Sequence, residues 1–358
     1  MKIFITGICG FVGSSLASWF REHQRSVSVH GMDNFIRPGS ETNRLKLKAL
    51  GVSVRHGDVR NASDFETLPD VDWVFDAAAN PSVLAGVDGN TSTRQLVEHN
   101  LLGTVNILEY CRRIHAGFVL LSTSRVYSIP TLVGLPLVER DGAFCLDETR
   151  ALPEGVSPQG ITVDCPTTAP ISLYGATKLA SETLAIEYGS AFSLPIWINR
   201  CGVIAGAGQF GTAEQGIFSY WIHAFVAKRP LRYCGFGGKG LQVRDALHPS
   251  DIADLIWRQI NYTGSDMRRI FNAGGGSDNA MSLAQLTQWC TTQFGAHTVT
   301  SDPSQRQFDV PWYVTDNHQA TDVLGWRPQQ DLESILMEIS ELARQCPGWL
   351  TRCDTEKS

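Results

Sequence analysis

A tyrosine and a lysine four residues apart are the first side chains in this sequence that could do chemistry together. They are Tyr174 and Lys178, in a Tyr-x-x-x-Lys pattern at the start of a predicted helix. Residues four apart share one helix face, so the phenol and the ammonium can reach the same cleft. A phenol with a pKa of roughly 10 is a weak base at neutral pH, and a neighbouring positive charge lowers that pKa because it favours the phenolate. The pair therefore predicts removal of a proton from a substrate hydroxyl.

A segment rich in hydroxyl groups lies at the end of the fifth predicted strand. It reads Leu-Ser-Thr-Ser-Arg-Val-Tyr over residues 121–127, with Thr123 near its centre. Ligands of open parallel sheets bind at the carboxyl ends of the strands. A hydroxyl placed there can hydrogen-bond the same substrate oxygen that Tyr174 deprotonates.

Glycines recur every third residue between the first predicted strand and the first predicted helix. They are Gly7, Gly10 and Gly13, directly after the apolar run Lys2–Thr6. Glycine permits positive φ in such a turn, lets the backbone approach a pyrophosphate, and lets the helix pack close to the strand. Because the motif lies between a strand and a helix in a chain of βαβ character, it predicts dinucleotide binding.

Asp33 ends the second predicted strand, twenty residues past the last of these glycines. A carboxylate there can accept hydrogen bonds from the ribose hydroxyls of adenosine and would repel a 2′-phosphate. This favours NAD over NADP, although the nearby Arg37 and Arg44 could accommodate a phosphate. We expect Asp58 and Val59, at the end of the third strand, to lie near the adenine.

Short apolar runs alternate with longer amphipathic segments through the first half, which is the pattern of βαβ units. The predicted strands are Lys2–Thr6, Val27–Met32, Val52–His56, Trp73–Ala77, Gly117–Ser122 and Ile196–Asn199. The predicted helices are Phe11–Glu22, Arg94–Arg113, Tyr174–Tyr188, Ala213–Ala227, Pro249–Ile260, Ser282–Phe294 and Asp331–Ala343. Right-handed crossovers between the strands then predict an α/β protein with a doubly wound parallel sheet.

The pattern also predicts how the chain divides. We expect residues 1–200 to form the dinucleotide-binding domain, with 245–260 packing back onto it, and residues 201–348 to form a substrate domain. The segment Glu139–Ala169, which holds several prolines and acidic residues, is predicted to be a loop insertion beside the cleft. Residues 349–358 are expected to form a polar, frayed tail.

Composition argues against several classes of protein. The formal charge of −6 and the lack of a long basic run are unfavourable for nucleic-acid binding. No run approaches the roughly 18 apolar residues of a membrane span, and the N-terminus does not read as a signal peptide. The nine cysteines are scattered without a Cys-x-x-Cys pair, so we expect reduced thiols, no metal site and a cytoplasmic protein.

Together these motifs resemble the extended short-chain dehydrogenases/reductases of the nucleotide-sugar epimerase/dehydratase type. The resemblance spans nearly the whole chain and is also carried by Asn100-x-x-Gly103-Thr104-x-Asn106, Arg244-Asp245-Ala246-Leu247-His248, Phe271-Asn272-Ala273-Gly274 and Gly325-Trp326-Arg327-Pro328. Within that family the sequence is similar to the CDP-paratose (CDP-tyvelose) 2-epimerase group, through residues 33–37, 123–127, 209–216 and 240–245. The resemblance implies a Rossmann-type fold with a smaller C-terminal α/β substrate domain.

The resemblance also implies roles by position. Thr123 corresponds to the family's catalytic Ser/Thr, Tyr174 to its base, and Lys178 to the lysine that holds the ribose and tunes the tyrosine. Arg244 and Arg306 fall where the family contacts the diphosphate of its substrate, a task that suits guanidinium groups. Implied contacts to the NAD cofactor are Gly7, Gly10, Phe11, Val12, Gly13, Asp33, Asn34, Arg37, Asp58, Val59, Ala77, Ala78, Ala79, Asn100, Tyr174 and Lys178. Implied substrate contacts are Ser124, Arg125, Asn199, Gln209, Arg244 and Arg306.

Two segments depart from the family pattern. The fourth strand runs into Asp76-Ala77-Ala78-Ala79-Asn80, where a His-x-Ala-Gly turn is usual. The sixth strand is followed by Val-Ile-Ala-Gly-Ala-Gly over residues 203–208, where a Tyr-Gly-Pro turn is usual. Both departures are expected near the substrate, so they leave the identity of the sugar open.

The implied activity is NAD-dependent inversion of a sugar carbon through a transient ketone. A CDP-paratose 2-epimerase is favoured, and a UDP-hexose 4-epimerase is the rival. Ser124 and Arg125 stand where the 4,6-dehydratases carry an Asp-Glu pair, so elimination lacks its acid. Asp33 disfavours the NADPH-dependent reductases, and non-enzymatic NAD sensors typically lack the Tyr/Lys pair. The expected partners are a nucleotide-diphosphate sugar, preferably a CDP-sugar, and further copies of the chain in a homodimer or homotetramer.

Overall fold

The computed structural model describes residues 1–87, 89, 92–212 and 215–353. The strands are β1 Lys2–Thr6, β2 Ser28–Asp33, β3 Ser53–His56, β4 Trp73–Asp76, β5 Gly117–Thr123, β6 Leu137–Arg140, β7 Ala143–Leu146, β8 Val156–Ser157, β9 Gly160–Ile161, β10 Ile196–Cys201, β11 Val203–Ile204, β12 Leu231–Cys234, β13 Val243–Leu247, β14 Ile270–Ala273, β15 Ala280–Ser282, β16 Val299–Asp302 and β17 Trp312–Tyr313. The helices are α1 Phe11–His23, α2 Glu41–Ala49, α3 Thr93–Val97, α4 Gly103–Ile114, α5 Ile129–Val133, α6 Ser172–Phe192, α7 Ile217–Val226, α8 Pro249–Ile260, α9 Leu283–Phe294, α10 His318–Leu324, α11 Leu332–Gln345 and α12 Trp349–Cys353. A π turn, Glu98–Leu102, joins α3 to α4. Among these helices there is none with the length and apolar character that crossing a membrane requires.

Seven parallel strands form the central sheet, in the order β14-β10-β5-β4-β1-β2-β3. Its inner strands are continuous apolar runs because they are buried on both faces; in β1 the side chains of Ile3, Phe4 and Ile5 are almost fully buried. The order reverses between β1 and β4, so the carboxyl ends of these strands flank a crevice. The predicted doubly wound α/β fold is confirmed.

Helices cover both faces of this sheet. On one face α1 packs against α8, through a core that includes Phe20 and Ile256. On the other face α4 packs against α6, through a core that includes Ile107 and Ala185. The long helix α6 therefore lies directly on β5 and β10, where it can place side chains near the strand ends.

The remaining helices surround a second core. Trp221 of α7, Leu286 of α9 and Ile339 of α11 pack together there, beside the small sheets formed by β11, β13, β15 and β17 and by β12 and β16. One strand from this part of the sequence, β14, joins the edge of the central sheet by pairing with β10. The central sheet therefore includes Ile270–Ala273, which lies outside the residues predicted for the first domain.

Three predicted elements differ from those observed. The predicted loop at Glu139–Ala169 contains two hairpins, because β6 pairs with β7 and β8 with β9. The predicted frayed tail begins as helix α12, which buries Trp349 and Leu350, while residues 354–358 lie outside the described residues. The helix predicted from Ala213 starts at Ile217, and Ala213 itself is outside the described residues.

Candidate active site

A cavity of about 780 Å³ opens at the carboxyl ends of the central strands and is lined by both parts of the chain. Nineteen of the predicted site residues line it: Gly7, Gly10, Phe11, Val12, Gly13, Asp33, Asn34, Arg37, Val59, Ala77, Ala78, Ala79, Thr123, Ser124, Arg125, Tyr174, Gln209, Arg244 and Arg306. The predicted residues Asp58, Lys178, Asn100 and Asn199 are not among its lining residues. The predicted catalytic hydroxyls, glycine turn and arginines thus meet in one space.

The glycine turn is shaped to hold a group close to the backbone. Gly7 has a φ of +63°, and a Cβ atom on it would lie 2.9 Å from the Cα of Ala78. A Cβ atom on Gly13 would lie 2.2 Å from the carbonyl oxygen of Gly7. Gly10 caps the N-terminus of α1, where unpaired backbone N–H groups and the helix dipole favour a phosphate. These residues fit the pyrophosphate of a dinucleotide.

Asp33, at the end of β2, lines the cavity beside this turn. It is only 8% exposed, and its two carboxylate oxygens accept hydrogen bonds from the backbone N–H groups of Cys9 (2.9 Å) and Phe35 (2.8 Å). Burial raises the pKa of Asp33, while these two hydrogen bonds oppose that rise. Each oxygen keeps a further lone pair, so the carboxylate can still accept hydrogen bonds from ribose hydroxyls.

Asp58 binds the side chain of Asn34, which lines the cavity. The Asn34 amide donates to the Asp58 carboxylate at 3.0 Å, and the Arg60 guanidinium donates to it at 2.6 Å. Although burial raises the pKa of Asp58, these hydrogen bonds hold it well below its usual range. Of the two residues expected near the adenine, Val59 lines the cavity, whereas Asp58 does not and binds the neighbouring side chain of Asn34.

Tyr174 and Thr123 present the two hydroxyls predicted to act together. Thr123 is the last residue of β5, Tyr174 lies in the first turn of α6, and both line the cavity. Burial raises the pKa of Tyr174 to about 12, whereas the neighbouring Thr123 hydroxyl and the positive charge of Arg125 lower it. The phenol is therefore neutral at physiological pH unless further positive charge approaches it.

Lys178 lies one helical turn from Tyr174 and is only 1% exposed. Burial lowers its pKa, and the negative charges of Asp76 and Glu182 raise it. The lysine thus forms part of the buried wall behind the catalytic hydroxyls. That it tunes Tyr174 stays a prediction.

Behind this wall lies a buried polar network that the sequence analysis missed. Arg200 of β10 forms an ion pair with Glu182 of α6 at 2.8 Å, and both side chains are almost fully buried. Ser122 donates to Glu182, and Tyr127 donates to Asn272 at 2.5 Å while its ring lies under the Arg200 guanidinium. The spacing of Glu182 could have indicated that it lies near the catalytic pair, since it follows Lys178 by four residues on the same helix face.

Two predicted contacts have other partners. Asn100, in the π turn, binds the backbone N–H and C=O of Asn80 and the hydroxyl of Thr177, so it holds the loop after β4 against α6. Asn199 is fully buried, and its amide forms a reciprocal pair with the amide of Gln259 in α8, at 2.7 and 3.0 Å. Alternate residues of a strand face opposite sides of a sheet, and Asn199 faces α8. Asn199 does not line the cavity.

Two arginines that line the cavity are held by the same loop. Arg244 of β13 donates to the Asp309 carboxylate and to the backbone carbonyl of Val310, both at 2.8 Å. Burial lowers the pKa of Arg244 to about 10, and Asp309 opposes that change. Arg125 donates to the carbonyl of Phe308 at 3.1 Å. Both guanidinium groups are thus held on one loop and line the cavity, where an anionic group would be favourable.

Arg37 connects the two parts of the chain across the cavity. It follows β2, and its guanidinium donates to the carbonyl oxygen of Phe210 at 2.5 Å. The ring of Phe210 stacks on Trp349 of α12, with centroids 5.7 Å apart, and the Trp349 indole donates to the carbonyl of Gln209 at 2.9 Å. The sequence predicted Arg37 and Gln209 as ligand contacts but gave no sign of this aromatic pair.

Comparisons with known proteins agree with this geometry. The chain is 27% identical to the CDP-paratose 2-epimerase of Salmonella typhi over 92% of its length and 95% of that protein's. It is 26% identical to the UDP-glucose 4-epimerase of Corynebacterium glutamicum, over 94% of each chain. The fold matches that of UDP-glucuronic acid 4-epimerase from Bacillus cereus, solved with UDP-glucuronic acid and NAD, with a TM-score of 0.76, 24% identity, and coverage of 96% of this chain and 99% of that one.

The family assignment rests on a family model that matches most of the chain. The model of the NAD dependent epimerase/dehydratase family matches residues 3–274, which span the central sheet and the predicted catalytic residues. The match confirms the predicted family resemblance and the predicted NAD cofactor. This chain belongs to the NAD dependent epimerase/dehydratase family.

Proposed function

We propose that this protein is a nucleotide-sugar epimerase that inverts one hydroxyl-bearing carbon through a transient ketone, with a CDP-sugar of the paratose type as its substrate. The observation that carries the proposal is the cavity itself. It brings together the hydroxyls of Thr123 and Tyr174, a glycine turn that fits a pyrophosphate, and the half-buried guanidinium groups of Arg125 and Arg244.

The residues at one end of the cavity would hold NAD. The turn at Gly7, Gly10 and Gly13 would receive its pyrophosphate, and Asp33 would accept hydrogen bonds from its adenosine ribose. When bound, NAD takes up a hydride from the sugar carbon and returns it to the opposite face.

The phenol of Tyr174 would exchange the proton of the reacting sugar hydroxyl. Thr123 donates or accepts a hydrogen bond at the same oxygen and so holds the sugar for this transfer. Since burial raises the pKa of Tyr174 to about 12, the phenolate needs added positive charge, and Arg125 and Lys178 are the cations built into the surroundings.

The arginines at the far end would bind the diphosphate of the substrate. Arg244 lies on the rigid strand β13, and its guanidinium is already desolvated, which strengthens its attraction for an anion. Asp309 must yield part of its ion pair when a diphosphate binds there. We place Arg306 in the same role, because it lines the same cavity.

The alternative is a UDP-hexose 4-epimerase, which the same hydroxyl pair would serve. The CDP-sugar is supported by the similarity to the Salmonella typhi 2-epimerase, and the rival by the similarity to the Corynebacterium glutamicum 4-epimerase. Elimination of water is disfavoured in either case, because Ser124 and Arg125 supply no carboxylic acid beside Thr123, and Arg125 is bonded to the carbonyl of Phe308.

The test is proton NMR of CDP-paratose and of UDP-glucose, each incubated with the purified protein and no added reductant. Inversion at C2 of the CDP-sugar supports the proposal, and inversion at C4 of the UDP-sugar moves the protein to the rival reaction. The Tyr174→Phe variant is the control and should leave both sugars unchanged. If the NAD-loaded enzyme inverts neither sugar, both assignments are contradicted.

A further inference from the structure

A buried carboxylate lies at the strand end where this sequence departs from its family pattern. Asp76, the last residue of β4, is only 2% exposed. One of its oxygens accepts a hydrogen bond from the Thr6 hydroxyl at 2.8 Å and lies 3.3 Å from the backbone nitrogen of Ala78. The other accepts a hydrogen bond from the Thr104 hydroxyl at 3.3 Å. The carboxylate therefore sits directly behind the alanines that line the cavity.

The same carboxylate reaches the helix that carries the catalytic pair. The Thr104 hydroxyl that binds Asp76 also accepts a hydrogen bond from Ser181 of α6 at 3.1 Å. Ser181 follows Lys178 by three residues, so both face the same side of α6. Asp76 and Lys178 accordingly enter the same buried space, one from the sheet and one from the helix.

Two acidic and two basic side chains share this buried space. Four charged side chains are almost fully buried here, namely Asp76, Lys178, Glu182 and Arg200. Glu182 forms an ion pair with Arg200, whose guanidinium donates hydrogen bonds to it at 2.8, 3.1 and 3.2 Å. Isolated buried charges are strongly unfavourable, so the ammonium of Lys178 needs a carboxylate that has no other cation, and Asp76 is that carboxylate.

We propose that Asp76 is the counter-ion of Lys178, a positioning residue that keeps the buried ammonium charged and in place behind Tyr174 and Thr123. The titratable groups that face Lys178 from the packed elements are Asp76, Glu182 and the thiol of Cys201. Cys111 lies within electrostatic range of Asp76. Both thiols are neutral, because burial raises the pKa of each. Asp76 is therefore the negative charge near Lys178 that no other cation neutralises.

A purely structural role is the competing explanation. Asp76 joins β1, β4 and α4 by hydrogen bonds, and an asparagine could make nearly the same contacts. The two explanations differ in whether the contribution of Asp76 to stability depends on the charge of Lys178. A hydrogen-bonding residue contributes the same stability whether or not Lys178 is charged, whereas a counter-ion becomes unfavourable once the ammonium is gone.

A double-mutant cycle in thermal unfolding separates them. In the protein that keeps Lys178, we expect Asp76→Asn to lower the temperature midpoint of unfolding. In the Lys178→Met variant, we expect Asp76→Asn to raise that midpoint, because this variant holds the Asp76 carboxylate without a neighbouring cation. Equal shifts in both backgrounds would overturn the proposal. The Asp251→Asn substitution is the matched control, since Asp251 is a buried carboxylate bonded to the backbone of Gln329, and it should shift both backgrounds alike.

A second measurement does not depend on the stability of the variants. In protein labelled with ¹³C at lysine Cε, the Lys178 signal is the one absent from the Lys178→Met spectrum, and in the wild-type protein it should report an ammonium at neutral pH. Asp76→Asn should lower the pKa of Lys178 by about one unit or more, and Asp251→Asn should leave it unchanged. A neutral Lys178 amine in the wild-type protein at pH 7, or a pKa that Asp76→Asn does not move, would contradict the proposal.

The inference rests on the proposed function only in taking Tyr174 and Lys178 as the working pair. Both measurements are made without a sugar, so they can succeed while the NMR assay of CDP-paratose and UDP-glucose fails, and the reverse. With an active substrate in hand, Asp76→Asn should lower kcat with little change in KM, and the activity should fall at a lower alkaline pH than in the wild-type enzyme.

Discussion

The hydroxyl of Thr123 lies close enough to the phenol of Tyr174 to lower its pKa, although the first ends a strand and the second begins a helix 51 residues further on. Two hydroxyls at one point can hold a single sugar oxygen between them. Tyr174→Phe should therefore reduce kcat by roughly 10²- to 10⁴-fold, the usual contribution of a positioned acid–base group, while the purified protein keeps its NAD. Tyr188→Phe, on the outer part of the same helix, is the control and should keep its activity. Full activity in Tyr174→Phe would refute the catalytic assignment.

The ionisation of Tyr174 should depend on NAD. Burial raises the pKa of this phenol to about 12, so in the NAD-free protein it should stay neutral until the pH approaches that value. The positive charge of the oxidised nicotinamide favours the phenolate, so bound NAD should move the midpoint to lower pH. The measurement is ultraviolet tyrosinate absorbance against pH, taken as the difference between the wild-type protein and Tyr174→Phe. The same midpoint with and without NAD would place the nicotinamide away from Tyr174.

Arg244 should govern substrate affinity. Its guanidinium is half-buried and donates a hydrogen bond to Asp309 that a diphosphate can take over. Hydrogen bonds to charged groups contribute about 1.5–3 kcal/mol, so Arg244→Ala should raise KM by roughly 10- to 100-fold and change kcat much less. Arg258→Ala removes an exposed arginine paired with Asp254 and should leave both constants unchanged. A loss confined to kcat would assign Arg244 to the reacting carbon instead.

The buried ion pair between Glu182 and Arg200 should stabilise the whole sheet. Removing one partner leaves an uncompensated buried charge, so Glu182→Gln should lower the free energy of unfolding by about 3–5 kcal/mol. The exposed pair between Arg94 and Glu98 gives the comparison, and Glu98→Gln should have little effect on denaturant unfolding. Similar small effects for both substitutions would mean that the Arg200 charge finds another partner.

Trp349 should control how firmly NAD is held. Its indole stacks on Phe210, whose carbonyl binds Arg37 beside the cofactor site. Trp349→Ala should loosen that loop and speed the release of NAD, measured as NAD retained after dialysis. Trp289→Ala is the matched control, because Trp289 lies in α9 and donates to Glu333 at the surface. Equal retention in both variants would show that the loop is not needed to hold NAD.

Local patterns in the sequence predicted the elements that form locally. The glycine turn, the strand β1 and the helix bearing Tyr174 and Lys178 each follow from residues within one short window, and each is found where it was predicted. Periodicity also indicated that Pro249–Ile260 is a helix, and its bounds are the same in the structure.

Contacts between distant segments could not be predicted in this way. Nothing near Arg37 indicates that its partner is Phe210, 173 residues away. The pairing of Glu182 with Arg200 depends on which faces of α6 and β10 meet, which only the packed sheet decides. The orientation of Asn199 is decided in the same way, since its type suits a ligand contact but its strand turns it toward Gln259 of α8 and away from the cavity lining.

The π turn at Glu98–Leu102 has a consequence for insertions and deletions. A π turn accommodates one residue more than the α-helix it interrupts, and the flanking helix keeps its course. Deleting one residue here would let α3 run into α4 as a regular helix, with the contacts of α4 kept. Without the extra residue of the π turn, Asn100 would no longer face inward and would lose its contacts with Asn80 and Thr177. Among related sequences, a gap of one residue at this place should therefore separate chains with the same fold but a different loop after β4.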